Sequence, residues 1–177
     1  MYNKKEDGDG MLTLLDINKK SLESQRKIYK ALRQLLLVKP LADITVTDVS
    51  ELCEISRSTF YRNFNNVIDI LYVFFDFYYE RYLIRRTDNN TFLFFFEYWN
   101  KHKDLVSILT NQAPSIIPQV MNNYFNKEYS EFQKKLKIDL FTTIISRWSI
   151  SKVETPEEME RFLTEIFSKK TINLLLE

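Results

Sequence analysis

The sequence predicts an all-α protein. Three observations carry that expectation. Its 177 residues include only two glycines and four prolines, so few positions interrupt a helix. Apolar residues recur every three or four positions over long stretches, and no run alternates apolar and polar residues for long. With 45% of residues hydrophobic, the chain is also able to build a real core.

Each element follows from local signals. Residues 1–20 read as a flexible leader, with Gly8 and Gly10 set among charges. Ile28, Leu32, Leu35 and Leu36 predict a helix over 21–38, and Arg26, Lys27, Lys30 and Arg33 line its other faces. Pro40 stops it. Thr45 caps the next helix, and Asp48 closes an arrangement like a capping box. Ser56 caps a short helix over 57–63. Asn66 and Asp69 open a long fourth helix carrying Val67, Ile70, Leu71, Phe74, Tyr78 and Tyr82, which Asp88-Asn89-Asn90 ends. Further helices are expected over 92–102, 104–111 and 116–128, with a turn around Pro114 and Pro118.

Two longer helices, 130–150 and 156–175, follow. The first carries Phe132, Leu136, Leu140, Ile144 and Trp148 at a strict four-residue step. The second opens with Thr155-Pro156-Glu157-Glu158, a cap followed by proline and then glutamate.

Charge is informative by its distribution. The whole chain carries +1, yet residues 19–66 hold nine lysines and arginines against five acids. That stretch is therefore cationic and the remainder is net negative, which suits a DNA-facing unit joined to a body that avoids phosphates. The lone cysteine, Cys53, excludes an intramolecular disulfide and is expected to pack rather than react. No secretory signal is read at the N-terminus, and the aromatic run 92–99 is broken by Glu97 and too short to span a bilayer. A cytoplasmic protein without membrane association is expected. His102 is the only histidine, so no metal site is expected and no cofactor is implied. No nucleophilic triad, glycine-rich phosphate loop or distinctive carboxylate pair is visible, so no enzyme is expected.

Residues 44–71 hold the densest signal: a short helix, a tight turn, a second short helix and the start of a third. Ile44, Val46, Val49, Leu52, Ile55, Phe60 and Phe64 are spaced to bury one side. Ser56, Arg57, Ser58, Thr59, Tyr61, Arg62 and Asn63 are left facing outward, a small, polar and basic surface suited to a DNA groove. Arg57 is the candidate for bidentate guanine readout, against a merely solvated arginine. Ser58 and Thr59 permit close approach, and Arg62 and Asn63 suit backbone contacts. Thr45 and Thr47 stand at a helix N-terminus that favours a phosphate oxygen, or simply a cap.

These residues resemble the DNA-binding domain of the tetracycline-repressor (TetR) family over 24–86. The family pattern has a threonine opening the second helix, a small-Gly-hydrophobic-Ser turn, and a recognition helix ending in Thr-hydrophobic-Tyr-x-x-Phe. Here those places are held by Thr45, by Cys53-Glu54-Ile55-Ser56, and by Thr59-Phe60-Tyr61-Arg62-Asn63-Phe64. A looser likeness joins Trp148 and Thr155-Pro156-Glu157-Glu158-Met159 to the family's dimerisation region. Two positions depart from the pattern: Glu54 replaces the turn glycine, and Val67 replaces a lysine that meets a phosphate.

The resemblance implies a helix-turn-helix domain over 21–66 and a helical effector-binding and dimerisation domain over 67–177. It also implies a phosphate contact for Tyr61, against a merely packed tyrosine. The expected protein is a homodimeric repressor, released from a palindromic double-stranded DNA operator by a small lipophilic or aromatic effector. Phe74, Tyr78, Phe95, Tyr98, Trp99 and His102 are the candidate effector contacts, although aromatics at helical spacing also suit a plain core. Phe141, Ile144, Ile145, Trp148, Phe162 and Ile166 are the candidate dimer contacts. Two alternatives stand beside this reading: a relative that has lost the effector pocket and answers to a protein partner or acts as a co-activator, and a helical interaction module that does not bind DNA.

Overall fold

The structure, a computed structural model, describes residues 19–86, 92–125, 128–150 and 155–168. Among them every regular element is helical, as expected. The expected leader up to residue 18, the terminator at Asp88-Asn89-Asn90 and the last turns of the final helix lie outside the described residues. Contacts divide the chain into two compact units, one ending at Phe77 and one beginning at Tyr78.

The first unit holds α1 (Lys19–Leu35), a 3-10 turn (Leu41–Asp43), α2 (Val46–Leu52), α3 (Arg57–Tyr61) and the start of α4 (Val67–Arg85). α1 ends before the predicted residue 38: the chain turns through Leu36 to Val38, leaving Leu37 and Val38 at 85% and 80% exposure. Ile28, Leu32, Val49, Phe60, Phe64 and Ile70 form the core, where α1 packs on α2 and α3. Tyr29 stacks on Phe74 with ring centroids 3.8 Å apart. Of the residues expected inside, Leu52 is exposed.

Helix ends in this unit are made by side chains. Thr45 and Asp48 form a complete capping box, and the Ser56 hydroxyl accepts from the Thr59 amide at 3.1 Å. Asn66 accepts from the Asp69 amide at 2.9 Å and so starts α4. Between α2 and α3, Glu54 stands at φ 55°, in the left-handed region that the family pattern fills with glycine. The turn keeps its geometry and bears a strain of about 1–2 kcal/mol.

The second unit holds the remainder of α4 with α5 (Phe92–Asn100), α6 (Lys103–Gln112), α7 (Ile116–Asn122), α8 (Glu131–Ile150) and α9 (Pro156–Ile166). α5 packs on α9, and α6 and α7 pack on α8. α9 starts as its sequence predicts, with Thr155 and Glu158 completing a capping box and proline at the helix start. The core is strongly aromatic. Trp99 is fully buried, with its ring 5.4 Å from Phe141 and 5.7 Å from Tyr82.

α8 departs from its sequence reading. A four-residue step advances about 400° around a helix of 3.6 residues per turn, so the stripe drifts by about 40° at each step. Phe132 accordingly ends 75% exposed, while Trp148 at the other end is 6% exposed. The side that faces the core is Ile138, Phe141, Ile145 and Trp148, at alternating three- and four-residue spacing.

Candidate nucleic-acid interface

The surface of interest is built on α3, a helix of five residues. Phe60, fully buried, fixes it to the core, and its ring meets Phe64 at 6.1 Å. With that side anchored, Ser56, Arg57, Ser58, Tyr61 and Arg62 are exposed. The hydroxyls of Ser56, Ser58 and Thr59 form a cluster, at 2.8 Å from Ser56 to Ser58 and 2.9 Å from Ser56 to Thr59. Arg62 Nη2 donates to Thr59 Oγ1 at 2.9 Å, which lays the guanidinium along the helix. Tyr61 keeps half its surface exposed, its ring edge-on to Phe60 at 5.6 Å.

Two of the predicted contact residues have other work. Asn63 is half-buried. Its amide donates to the Thr59 carbonyl at 2.7 Å, and its carbonyl accepts from the Ser21 hydroxyl at 2.7 Å. It ties the end of α3 to the start of α1 and is a structural residue in place of an outward one. Thr45 is exposed, but both its polar groups are engaged by one carboxylate. Its amide and its hydroxyl each donate to Asp48 Oδ2 at 2.7 Å. The Thr45 amide is therefore occupied and not open to a phosphate. Thr47 is exposed on the first turn of α2.

The same carboxylate holds Lys39, whose Nζ lies 2.8 Å from Asp48 Oδ2. The hydrogen bonds from Lys39 and Thr45 keep the Asp48 carboxyl far below the usual carboxylate range. Lys39 is a cation at this edge that sequence reasoning did not single out, because its position depends on the turn that follows α1. At the start of α4, the Asn65 amide donates to Asp69 at 2.9 Å. Carboxylates thus stand at the N-termini of both α2 and α4. Val67, where the family pattern has lysine, is buried. Cys53 is half-buried, its thiol donating to the Val49 carbonyl at 2.9 Å, and burial pushes its pKa up.

The second unit contains a cavity of about 470 Å³. None of the predicted effector contacts lines it. Phe74 belongs to the first unit, stacked on Tyr29. Phe95, Tyr98 and Trp99 pack around the Tyr82 ring at 5.9, 5.5 and 5.7 Å. Tyr78 lies 3.9 Å from His102, and the Tyr98 hydroxyl donates to the Tyr78 carbonyl at 2.7 Å. Burial, with Lys101 and Arg85 adding to it, lowers the His102 pKa to about 4. The cavity takes its walls instead from one face of α4 (Tyr79, Tyr82, Leu83) continued by Arg86 just past its end, and from one face of α8 (Lys137, Leu140, Phe141, Ile144). Both sets run at i, i+3, i+4, i+7, the spacing that would have identified them.

The predicted dimer contacts divide. Phe141, Ile145 and Trp148 are buried within their own unit, and Ile144 and Ile166 are half-buried. Phe162 is 55% exposed. The other large apolar side chains facing outward on these helices are Phe132, Leu136 and Leu140.

Among the described residues, no group of histidine, cysteine or carboxylate side chains is arranged to hold a metal ion. No described helix is long and apolar enough to cross a membrane.

No protein-family model matches the chain, and no curated protein matches it. A solved structure does: the crystal structure of Lin0861 from Listeria innocua, with a TM-score of 0.70 over 92% of this chain and 96% of that one. The two sequences are 16% identical. The likeness is one of fold.

Proposed function

We propose that this protein is a DNA-binding transcriptional regulator of the tetracycline-repressor kind, a homodimeric repressor that leaves a palindromic operator when a small molecule occupies its second unit. The observation that carries the reading is the exposed face of α3, where Arg57, Ser58, Tyr61 and Arg62 stand outward from a helix anchored by Phe60. A short helix with a small, hydroxylated and cationic surface suits the major groove, and an arginine at its first position suits a guanine edge. Tyr61 and Arg62 suit phosphate oxygens. A second copy would pair through the outward apolar residues Phe132, Leu136, Leu140 and Phe162, and present two such helices about 34 Å apart. α4 supplies residues to both units, which gives a bound effector a covalent route to the reading unit.

The test is a gel shift on duplex DNA from the region upstream of the protein's own coding sequence, repeated across salt concentrations. Binding should weaken linearly on a log–log salt plot. Arg57→Ala should lose about 1–3 kcal/mol of discrimination at one base position and leave the dimer's mass unchanged. A second reading, a helical interaction module that does not touch DNA, draws support from Asp48 and Asp69 at the starts of α2 and α4, where they oppose phosphate. Absence of any salt-dependent binding selects that second reading.

A further inference from the structure

The cavity of the second unit combines features that together specify a ligand class. Its volume, about 470 Å³, lies within the range of small-molecule sites. Its walls are mostly rings: Tyr79, Tyr82, Tyr124 and Phe141 among them, with Tyr79 edge-on to Tyr124 at 5.3 Å and to Phe141 at 5.7 Å. Two lining residues are cationic, Arg86 and Lys137, and no aspartate or glutamate is among the described lining residues. Lys137 Nζ lies 3.7 Å from the centre of the Tyr129 ring, which holds the ammonium at the cavity wall by a cation–π contact. Both cations belong to exposed residues, while Tyr79, Tyr82 and Phe141 are buried.

An apolar, ring-walled space with two exposed cations and no carboxylate among its described lining residues has a definite complement. We infer that the cavity binds a lipophilic monocarboxylate, its hydrocarbon body among the rings and its carboxylate between Arg86 and Lys137. A lipophilic cation meets two like charges there and leaves its own charge without a partner. A neutral lipophile buries the same area and lacks the charge-assisted hydrogen bonds. Burial pushes the Tyr79 and Tyr82 phenols above their ordinary pKa, so the aromatic wall stays neutral. This inference names the ligand class of the effector site proposed above and rests on that reading only for its regulatory meaning; the binding chemistry stands without it.

The experiment compares three probes with one ten-carbon tail, namely decanoate, decanol and decyltrimethylammonium, by calorimetric titration of the full chain below their micellar concentrations. Decanoate should bind saturably and about ten-fold more tightly than either other probe, the size of one charge-assisted hydrogen bond. The pair Arg86→Gln with Lys137→Gln should bring decanoate down to the affinity of decanol. Lys103→Gln, an exposed lysine on α6 away from the cavity, should leave the preference intact. Leu83→Trp, which fills the space from α4, should abolish decanoate binding with helix content unchanged by circular dichroism.

Equal binding of the three probes, preference surviving in the double variant, or no saturable decanoate binding overturns the assignment. A gel shift with and without decanoate separates this claim from the regulatory one. Decanoate binding by a protein that never shifts DNA supports the ligand class and defeats the repressor reading. DNA binding by a protein that ignores decanoate does the reverse.

Discussion

The unit ending at Phe77 and the unit beginning at Tyr78 are both helical, and their helices are positioned by different means. In the first, α2, α3 and α4 each begin at a side-chain cap, from Thr45, Ser56 and Asn66. The turn between α2 and α3 is held at Glu54 by backbone conformation. Short elements with bonded ends leave little freedom in where Arg57 or Tyr61 stands. In the second unit, ring contacts do most of that work, around Tyr82, Trp99 and Phe141. Rings cannot fill every gap between long helices, and a cavity remains beside them. Bonded ends suit a surface that must be presented in one geometry. Ring packing suits a space that must admit something.

The largest effect that tests this contrast is loss of a fully buried ring from either unit. Phe60→Ala and Trp99→Ala should each cost about 3–5 kcal/mol. Amide hydrogen exchange should show Phe60→Ala lowering protection mainly before residue 77 and Trp99→Ala mainly after it. Equal loss on both sides would erase the distinction between the units.

His102 gives the next effect, confined to the second unit. Its pKa in the folded chain is about 4, below the ordinary 6.5, so the unfolded chain binds the extra proton between those values. Stability is therefore full above pH 6.5 and falls as the pH drops toward 4, by on the order of 1–2 kcal/mol after solvent screening of this partly exposed ring. Thermal melts from pH 7 to pH 4 should show that slope, and His102→Gln should flatten it.

Removing a cap from the first unit should matter less. Ser56→Ala costs about 1 kcal/mol in urea unfolding, through loss of the bond to the Thr59 amide. The smallest change is a gain. Glu54→Gly relieves a left-handed side-chain conformation and gives back part of it as chain entropy, for a net stabilisation of roughly 0.5–1 kcal/mol. An unchanged or lowered urea midpoint would show that the turn is not strained at Glu54.

The contrast also explains what the sequence disclosed. Caps are local, so Thr45, Ser56 and Thr155 could be read directly and the helices they start begin where expected, although α3 ends at Tyr61, two residues short of the expected 63. The outward set on α3 was legible for the same reason, since Phe60 fixes the opposite face. The half-buried setting of Asn63 was not legible, because its bond to Ser21 joins residues far apart in the chain. The Thr45–Asp48 capping box was legible, since both of its bonds join residues three apart. In the second unit, every aromatic looked equally able to line a cavity. Tyr79 and Tyr98 have the same chemistry and differ only in which neighbours they meet. On α8 a regular four-residue stripe is not a straight one, and the drift of the helix carries Phe132 and Trp148 to opposite environments.

The tether from Ser21 through Asn63 to the Thr59 carbonyl has a consequence for engineering. With Ser56 latching one end of α3 and Asn63 the other, the frame is held chiefly by residues other than Arg57, Ser58, Tyr61 and Arg62, of which Ser58 and Arg62 add only exposed bonds to Ser56 and Thr59. A library randomised at those positions should yield mostly folded members, and selection could then retune sequence preference without rebuilding the frame.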